Sequence, residues 1–583
     1  MNSENKPAVE NITKRFLDMI KLPDKTCKNL NYLIALPVQA DMRSQYRFPV
    51  GFGLVSSSLK ASGRTVFTLN LTYRKKPFEL LKETIINNNI DVIATGGLSG
   101  QYTLLREIID AAKSIRSDII TIVGGGIVTA EPEVAMKAFE NADYGVIGEG
   151  EITINALAYA LETCGNITEV EGIIGKNSCG YFITSPREEI IDLDCLPFPD
   201  YDGFDYIEMF ERRYSGISIV SDIGVTIVAS RSCPCNCTFC FHSSGKKYRR
   251  RSLDNLFGEI DWLKSKFPFK RAYICDELFG GDFTYVREFC ARIKSYGIKY
   301  KISTRMSLVN AETLELLKES GCSEIMYGVE HVNEKILKSM KKHTSSEFIE
   351  PTFNLTIEKG IRPDGCIIFG DLEETAETVN EALNWWCEHR NFGIYLLNIM
   401  TFPGSHIYKV ACGRGIISDP VQYLRDGCPM VNISKMSDNE WSQMKDKIAQ
   451  TRILYEGYDL NTKPDTARIS KVLDTLANGN DKVCVWPATN DTIRFFRNIS
   501  KPFYRNAYFV NINPDSILLR TADAEYDCKI YEPDVIRKEN IGLVVCPNIK
   551  LINEIQLILE REYPGVDRVL SIPELENFKT EKN

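Results

Sequence analysis

The chain has 583 residues, 44% hydrophobic and 25% charged, with a formal net charge of −8. That length exceeds what one hydrophobic core serves, so three or four domains are expected. The acidic balance gives no global pull toward nucleic acid. No apolar run reaches the roughly 20 residues of a membrane helix, and the start MNSENKPAVENITKRF lacks a secretory apolar region; the expectation is a cytoplasmic protein.

Residues 1–29 form a polar N-terminal extension. Apolar strands are predicted at 32–38, 65–71, 91–97, 118–126 and 143–150, with amphipathic helical stretches between them. That alternation means a parallel sheet covered on both faces. Glycines gather just after the strand ends: Gly96, Gly97, Gly124, Gly125, Gly126, Gly148 and Gly150. Open α/β sheets bind ligands at the carboxyl ends of their strands, where glycine admits close approach. Residues 30–165 are therefore read as a Rossmann-like ligand-binding domain. No GxGxxG follows the first strand, so it is not a dinucleotide fingerprint.

Residues 166–222 read as a connector. They include a hairpin with its turn near Cys179 and Gly180, then the proline- and aromatic-rich DLDCLPFPDYDGFDY, expected to pack between domains. In residues 223–410, strands are predicted at 225–230, 271–277, 299–304, 324–330, 365–371 and 393–402. Six strands, most followed by helices, predict a partial (βα)6 barrel whose chemistry belongs at the C-terminal strand ends. Residues 411–478 read as helical. Residues 479–583, with strands at 482–488, 507–514, 542–548 and 566–572, read as a small C-terminal Rossmann-like domain. Its first strand ends in Pro487-Ala488-Thr489-Asn490 instead of a glycine-rich turn, which argues against a phosphate site.

Most of the 18 cysteines sit singly in apolar runs. Four, Cys233, Cys235, Cys237 and Cys240, follow the first barrel strand. Cys233-x3-Cys237-x2-Cys240 can ligate three irons of a [4Fe–4S] cube and leave the fourth iron for a small molecule. Zinc is the rival reading, but it wants four closed ligands, and the added candidates are only Cys235 and His242.

SRSCPCNCTFC (230–240) resembles the CxxxCxxC motif of the radical S-adenosylmethionine (SAM) superfamily. YICDELF (273–279), TRMSLVNAETLELLKESGCSEIMYGVEH (304–331), GCIIFGDLEET (365–375) and TFPGSHIY (401–408) resemble its later motifs, in order. The resemblance implies that Cys233, Cys237 and Cys240 ligate the cluster. Cys235 is then a spacer pointing away. Phe239 and Phe241 shield the cube and line the adenine side. Asp276 or Glu277, not separable in the sequence, meets the SAM ammonium. Ser303, Arg305 and Glu330 face the same site. It further implies one-electron cleavage of SAM to a 5′-deoxyadenosyl radical that abstracts hydrogen from the substrate.

FPVGFGLVSSSLKASG (48–63), IVGGGIVTAEPE (122–133) and YGVIGEGE (144–151) resemble the cobalamin-binding domain that precedes the barrel in one subgroup. Gly97, Gly124, Gly125, Gly126 and Glu149 are then cobalamin neighbours. None of the five histidines, at 242, 331, 343, 389 and 406, lies in residues 1–241. This domain therefore offers no lower-face histidine, and loop 39–47 is the expected neighbour. The resemblance implies a cobalamin-dependent radical SAM methyltransferase acting on carbon or phosphorus of a small-molecule or peptide substrate, with an electron donor such as flavodoxin or ferredoxin. The alternative is a cyclase or ring-rearranging enzyme. A methylthiotransferase needs a second three-cysteine set that is missing here, and a B12 sensor has no use for the cysteine triad. The basic run KKYRRR (246–251) is expected on a barrel-rim loop, not as a nucleic-acid patch.

Overall fold

The computed structural model describes residues 14–23, 27–37, 48–72, 74, 76–178, 180–206, 224–266, 269–455, 457–458, 462–479, 482–511, 528–548 and 551–578. Loop 39–47 and Cys179 lie outside them.

The first sheet has the order β2-β1-β3-β4-β5-β6-β7. Its strands are β1 (Asn31–Leu36), β2 (Thr65–Asn70), β3 (Val92–Gly96), β4 (Ile120–Gly124), β5 (Tyr144–Val146), β6 (Ile173–Asn177) and β7 (Gly180–Ile183). The first five pair in parallel and the last two antiparallel. Both faces of β1 are buried, as its unbroken apolar sequence requires. Tyr32, Ile34 and Leu36 enter one core, and Leu33 and Ala35 the other. The hairpin expected in the connector is present, but it extends this sheet through β5–β6 pairing. The sheet thus continues to Ile183, beyond the boundary at 165.

The barrel sheet has the order β15-β14-β13-β12-β11-β8. It comprises β8 (Gly224–Ile227), β11 (Arg271–Ile274), β12 (Lys299–Thr304), β13 (Cys322–Glu330), β14 (Arg362–Phe369) and β15 (Ile394–Asn398); a short antiparallel pair, β9 (Ser230–Arg231) with β10 (Arg249–Arg250), follows β8. All six barrel strands are parallel, and β8 and β15 stand at opposite edges, so the barrel is open. Period-2 alternation sends Tyr300 and Ile302 of β12 into the core. Lys301 and Ser303, between them in sequence, point to the other face of the sheet.

The open edge at β8 is covered by the connector. Tyr206 Oη donates to the Gly224 carbonyl at 3.1 Å and accepts from the Thr226 amide at 3.3 Å; Tyr201 Oη donates to the Glu259 carboxylate and lies 3.2 Å from the Thr226 carbonyl. Tyr201 also packs on Phe48, with ring centroids 4.3 Å apart, and stacks on Trp262 at 5.7 Å. The aromatic connector thus fuses the first domain and the barrel into one continuous core.

The C-terminal sheet, β18-β17-β16-β19-β20, is parallel throughout. Its strands are β16 (Val483–Val485), β17 (Tyr508–Val510), β18 (Ile530–Tyr531), β19 (Leu543–Val545) and β20 (Arg568–Leu570). Two cores of its own flank it. Helix Asp438–Tyr455 joins it to the barrel: Trp441 and Ile448 enter the barrel core, and Ile453 enters the C-terminal one. Among the described residues no helix is long and apolar enough to cross a membrane.

Candidate active site at the domain interface

A cavity of about 420 Å³ opens between the carboxyl ends of the first sheet and those of β8 and β11. Its floor is apolar: Ile34, Ala94, Ile122 and Val146 from the strands, Val55 and Ile154 from helices Val50–Ala61 and Gly150–Glu162. Gly97, Gly124, Gly125, Gly126 and Glu149 line it, and the barrel side supplies Ser230, Arg231, Ser243, Cys275 and Glu277. The glycines have a packing reason of their own. A Cβ on Gly125, whose φ is +85°, would lie 2.8 Å from the Gly97 carbonyl oxygen, and one on Gly96 would lie 2.8 Å from that of Gly124. The ends of β3 and β4 therefore sit directly on each other, which keeps this rim low.

Glu149 is fully engaged by protein. One carboxylate oxygen accepts from Arg231 at 2.5 Å. The other accepts from Arg249 at 2.7 Å and from the Ile190 amide at 2.7 Å. Arg231 also pairs with Glu151 at 2.5 Å. The remaining arginines of the KKYRRR run are spent likewise: Arg250 on Asp282 at 2.7 Å and Arg251 on Glu259. Arg249 ties the run to the first domain, while Arg250 and Arg251 pair within the barrel.

The cysteine loop leaves β9 through Ser232, at φ +68°, whose hydroxyl donates to the Gly245 carbonyl at 2.7 Å. The Thr238 amide donates to the Met340 carbonyl at 3.0 Å, and the Thr238 carbonyl accepts from the Ile407 amide at 3.1 Å. The segments after β13 and β15 thus hold the middle of the loop. Phe239 packs on a buried core cluster. Phe241 lies at the domain junction, so close to Gly404 that a Cβ there would be 2.6 Å from its ring. Cys237 is pulled down to about 6 by the hydrogen bond from the Cys240 thiol, aided by Lys342 and Arg305. Cys240, keeping that proton, is pushed up, and burial raises Cys233 to about 11. Among the described residues no three His, Cys, Asp or Glu side chains stand as ligands of one metal ion. A cube that gives each thiolate its own iron asks for a wider spacing.

The two acidic residues after β11 separate cleanly. Asp276 is 5% exposed and turns inward. It accepts from the Ala229 amide at 2.7 Å and the Ser230 hydroxyl at 2.6 Å, and burial lifts its pKa from 3.8 to about 6. Glu277 lines the cavity and meets His242 Nδ1 at 3.0 Å, while His242 Nε2 meets the Cys235 carbonyl at 3.0 Å. A carbonyl and a carboxylate only accept, so a ring satisfying both carries two protons; the Glu277 bond accordingly raises the His242 pKa.

Ser303 stands near the end of β12, its carbonyl taken by the Phe279 amide at 2.8 Å. Arg305 donates to Cys235 Sγ at 2.9 Å and to the His343 carbonyl at 2.8 Å. The sulfur of Cys235, expected to point away as a spacer, therefore faces a site residue. Glu330 ends β13 at φ +64° and pairs with Lys342 at 2.8 Å, both nearly buried. Lys342, Arg231 and Arg249 were not among the sequence candidates. Lys342 lies in the plain surface-like run SMKKHTSS, and the arginines meet Glu151 and Glu149, carboxylates 80 and 100 residues away in sequence.

Residues 227–385 match the radical SAM superfamily and residues 43–158 the B12 binding domain. The chain is similar to the uncharacterized methyltransferase PH0819 of Pyrococcus horikoshii, 26% identical over 55% of this chain and 69% of the relative. It is similar to cytidylyl-2-hydroxyethylphosphonate methyltransferase of Streptomyces wedmorensis, 24% identical over 55% and 69%. It is also similar to the anaerobic magnesium-protoporphyrin IX monomethyl ester cyclase of Rubrivivax gelatinosus, 24% identical over 60% and 64%. Its fold matches the cobalamin-dependent S-adenosylmethionine radical enzyme OxsB (TM-score 0.58, 17% identity, 91% of this chain and 79% of that one). It also matches the radical SAM methyltransferase TsrM of Kitasatospora setae (TM-score 0.56, 18% identity, 66% and 79%). The chain thus carries a B12 binding domain set ahead of a radical SAM domain.

Proposed function

We propose that this enzyme is a methyltransferase that moves a methyl group onto an unactivated carbon or a phosphorus of a small-molecule or peptide substrate. The observation that carries this reading is the juxtaposition of two built sites: a three-thiol loop at the barrel mouth and a glycine-rimmed apolar cleft lined by Ser232 and Ser243, which flank that loop. Both fit the groups the family uses. Cys233, Cys237 and Cys240 offer three soft ligands on one loop, which suits an iron–sulfur cube with one open iron. The cleft between helices Val50–Ala61 and Gly150–Glu162 is slot-like and apolar, with a low rim that a corrin and its nucleotide tail can occupy. When bound, the cluster supplies the electron that cleaves SAM to a 5′-deoxyadenosyl radical, and cobalamin carries the methyl group to the substrate radical.

The chain's own residues do the rest. Glu277, facing the cavity, takes the SAM ammonium in preference to Asp276, whose oxygens are spent on residues 229 and 230. Arg305 takes the SAM carboxylate, with Ser303 and the Glu330–Lys342 pair beside it. Phe239 and Phe241 keep water from the cysteine loop. The first domain offers no histidine to a bound cobalamin. The reaction is placed in an anaerobic cytoplasm with a flavodoxin- or ferredoxin-type donor.

The test is anaerobic reconstitution with iron, sulfide and cobalamin, followed by mass spectrometry of products formed from CD3-labelled SAM. Label in the product is the expected result. Formation of 5′-deoxyadenosine with an unlabelled, ring-closed product would replace methyl transfer by the cyclase reading that the Rubrivivax relative suggests. No 5′-deoxyadenosine at all would overturn both.

A further inference from the structure

The three-ligand reading leaves Cys235 without a task, yet its sulfur meets Arg305. Arg305 Nη1 donates to Cys235 Sγ at 2.9 Å, and Nη2 donates to the His343 carbonyl at 2.8 Å. Cys235 is itself fixed: its carbonyl accepts from His242 Nε2 at 3.0 Å, and His242 is braced against Glu277 at 3.0 Å. One chain of contacts thus runs from the acidic residue on the cavity wall, through the histidine and the fourth cysteine, to the arginine. Two tethers on separate terminal nitrogens fix the plane of a guanidinium, and three of its five N–H donors stay available. A planar fork oriented in this way is suited to a carboxylate, which it can grip with two parallel bonds.

We propose that Cys235 is a positioning residue: it holds Arg305 in the orientation in which the remaining donors grip the carboxylate of SAM. The inference rests on the reading of Arg305 given under Proposed function. It assigns the fourth cysteine to substrate orientation rather than to metal ligation or spacing. Sulfur accepts from the guanidinium across the loop, serine offers a similar acceptor on a slightly shorter arm, and alanine offers none.

The experiment uses the full-length, cluster-loaded enzyme and follows SAM binding by the change it makes in the EPR spectrum of the reduced cluster. C235A, C235S, R305Q and the double variant C235A/R305Q are titrated beside the parent, with iron and sulfide counted in each. The proposal expects parental iron and sulfide in all four. It expects SAM affinity about tenfold weaker in C235A and in R305Q, near parental in C235S, and no weaker in the double variant than in R305Q. Parental affinity in C235A, or losses that add in the double variant, would show that Cys235 does not act through Arg305. Loss of iron from C235A would make Cys235 a ligand and equally overturn the proposal. A parent enzyme whose cluster spectrum ignores SAM would sink the functional reading itself, and this inference with it.

Discussion

Asp276 shows how a motif residue and a site residue come apart. It stands in the acidic pair after β11, but it is 5% exposed and hydrogen-bonded to the strand that launches the cysteine loop. Burial lifts its pKa from 3.8 to about 6. The folded chain therefore holds more protons than the unfolded one between those values, and stability falls as pH rises through that window. Above it the buried charge costs about 3 kcal/mol at most, the equivalent of a shift of roughly two pH units. Asp276→Asn keeps the acceptor for the Ala229 amide and removes the charge. Relative to the parent apoprotein, its urea midpoint should climb between pH 4 and pH 6.5 and level off above. A difference that stays flat with pH would show that Asp276 is not charged at a cost. Composition and spacing could not separate Asp276 from Glu277, because adjacent residues differ only in which side of the chain they face. The register of β11 against β8 decides that, and register is a property of the sheet.

At the scale of elements, the β9–β10 pair sets Arg231 directly opposite Arg249. Like charges across a strand pair destabilise it unless a counter-charge lies between them. Glu149, from the loop after β5, is that counter-charge. Glu149→Gln keeps the side chain's shape but takes the shared charge from both arginines, leaving Arg231 on Glu151 and the buried Arg249 on the more distant Glu189, 3.6 Å away, a change costing about 3 kcal/mol. Faster amide exchange in β9 and β10, with weaker cobalamin retention, is the expected outcome. Unchanged exchange would mean that other contacts hold the hairpin. The sequence displayed YGVIGEGE as a motif and KKYRRR as a charge run. It could not show that one closes on the other, since the pairing spans about 100 residues. By contrast, the parallel strands of all three sheets were legible, because fully buried strands are written as unbroken apolar runs. The exception is β18, two residues long, too short to leave a periodic signal. The contact of Cys235 is hidden in the sequence for the same reason as those of Glu149: the arginine that engages it lies 70 residues on.

For the whole molecule, the question is which parts depend on each other. The first domain and the barrel share one core, and the open edge of the barrel at β8 is hydrogen-bonded by Tyr206 and covered by Tyr201 from the connector. An uncovered parallel edge is a template for association. The C-terminal domain instead has its own two cores and meets the rest mainly through helix Asp438–Tyr455, by Arg494 on Asp446 at 2.7 Å and Arg452 on Asp491. No described residue of that domain lines the interdomain cavity. A chain ending at residue 461 retains the helix, the barrel, the connector and the first sheet. It should load iron and cobalamin to the parental ratio and run as a discrete species on size exclusion. A fragment of residues 224–461 loses the tyrosines over β8 and half of the cavity. It should aggregate and retain no cobalamin. If the shorter fragment proved discrete, the connector would be a tether and not the wall that closes the barrel. If the longer one failed to take up either cofactor, the C-terminal domain would be part of the site by a route other than the contacts of this helix.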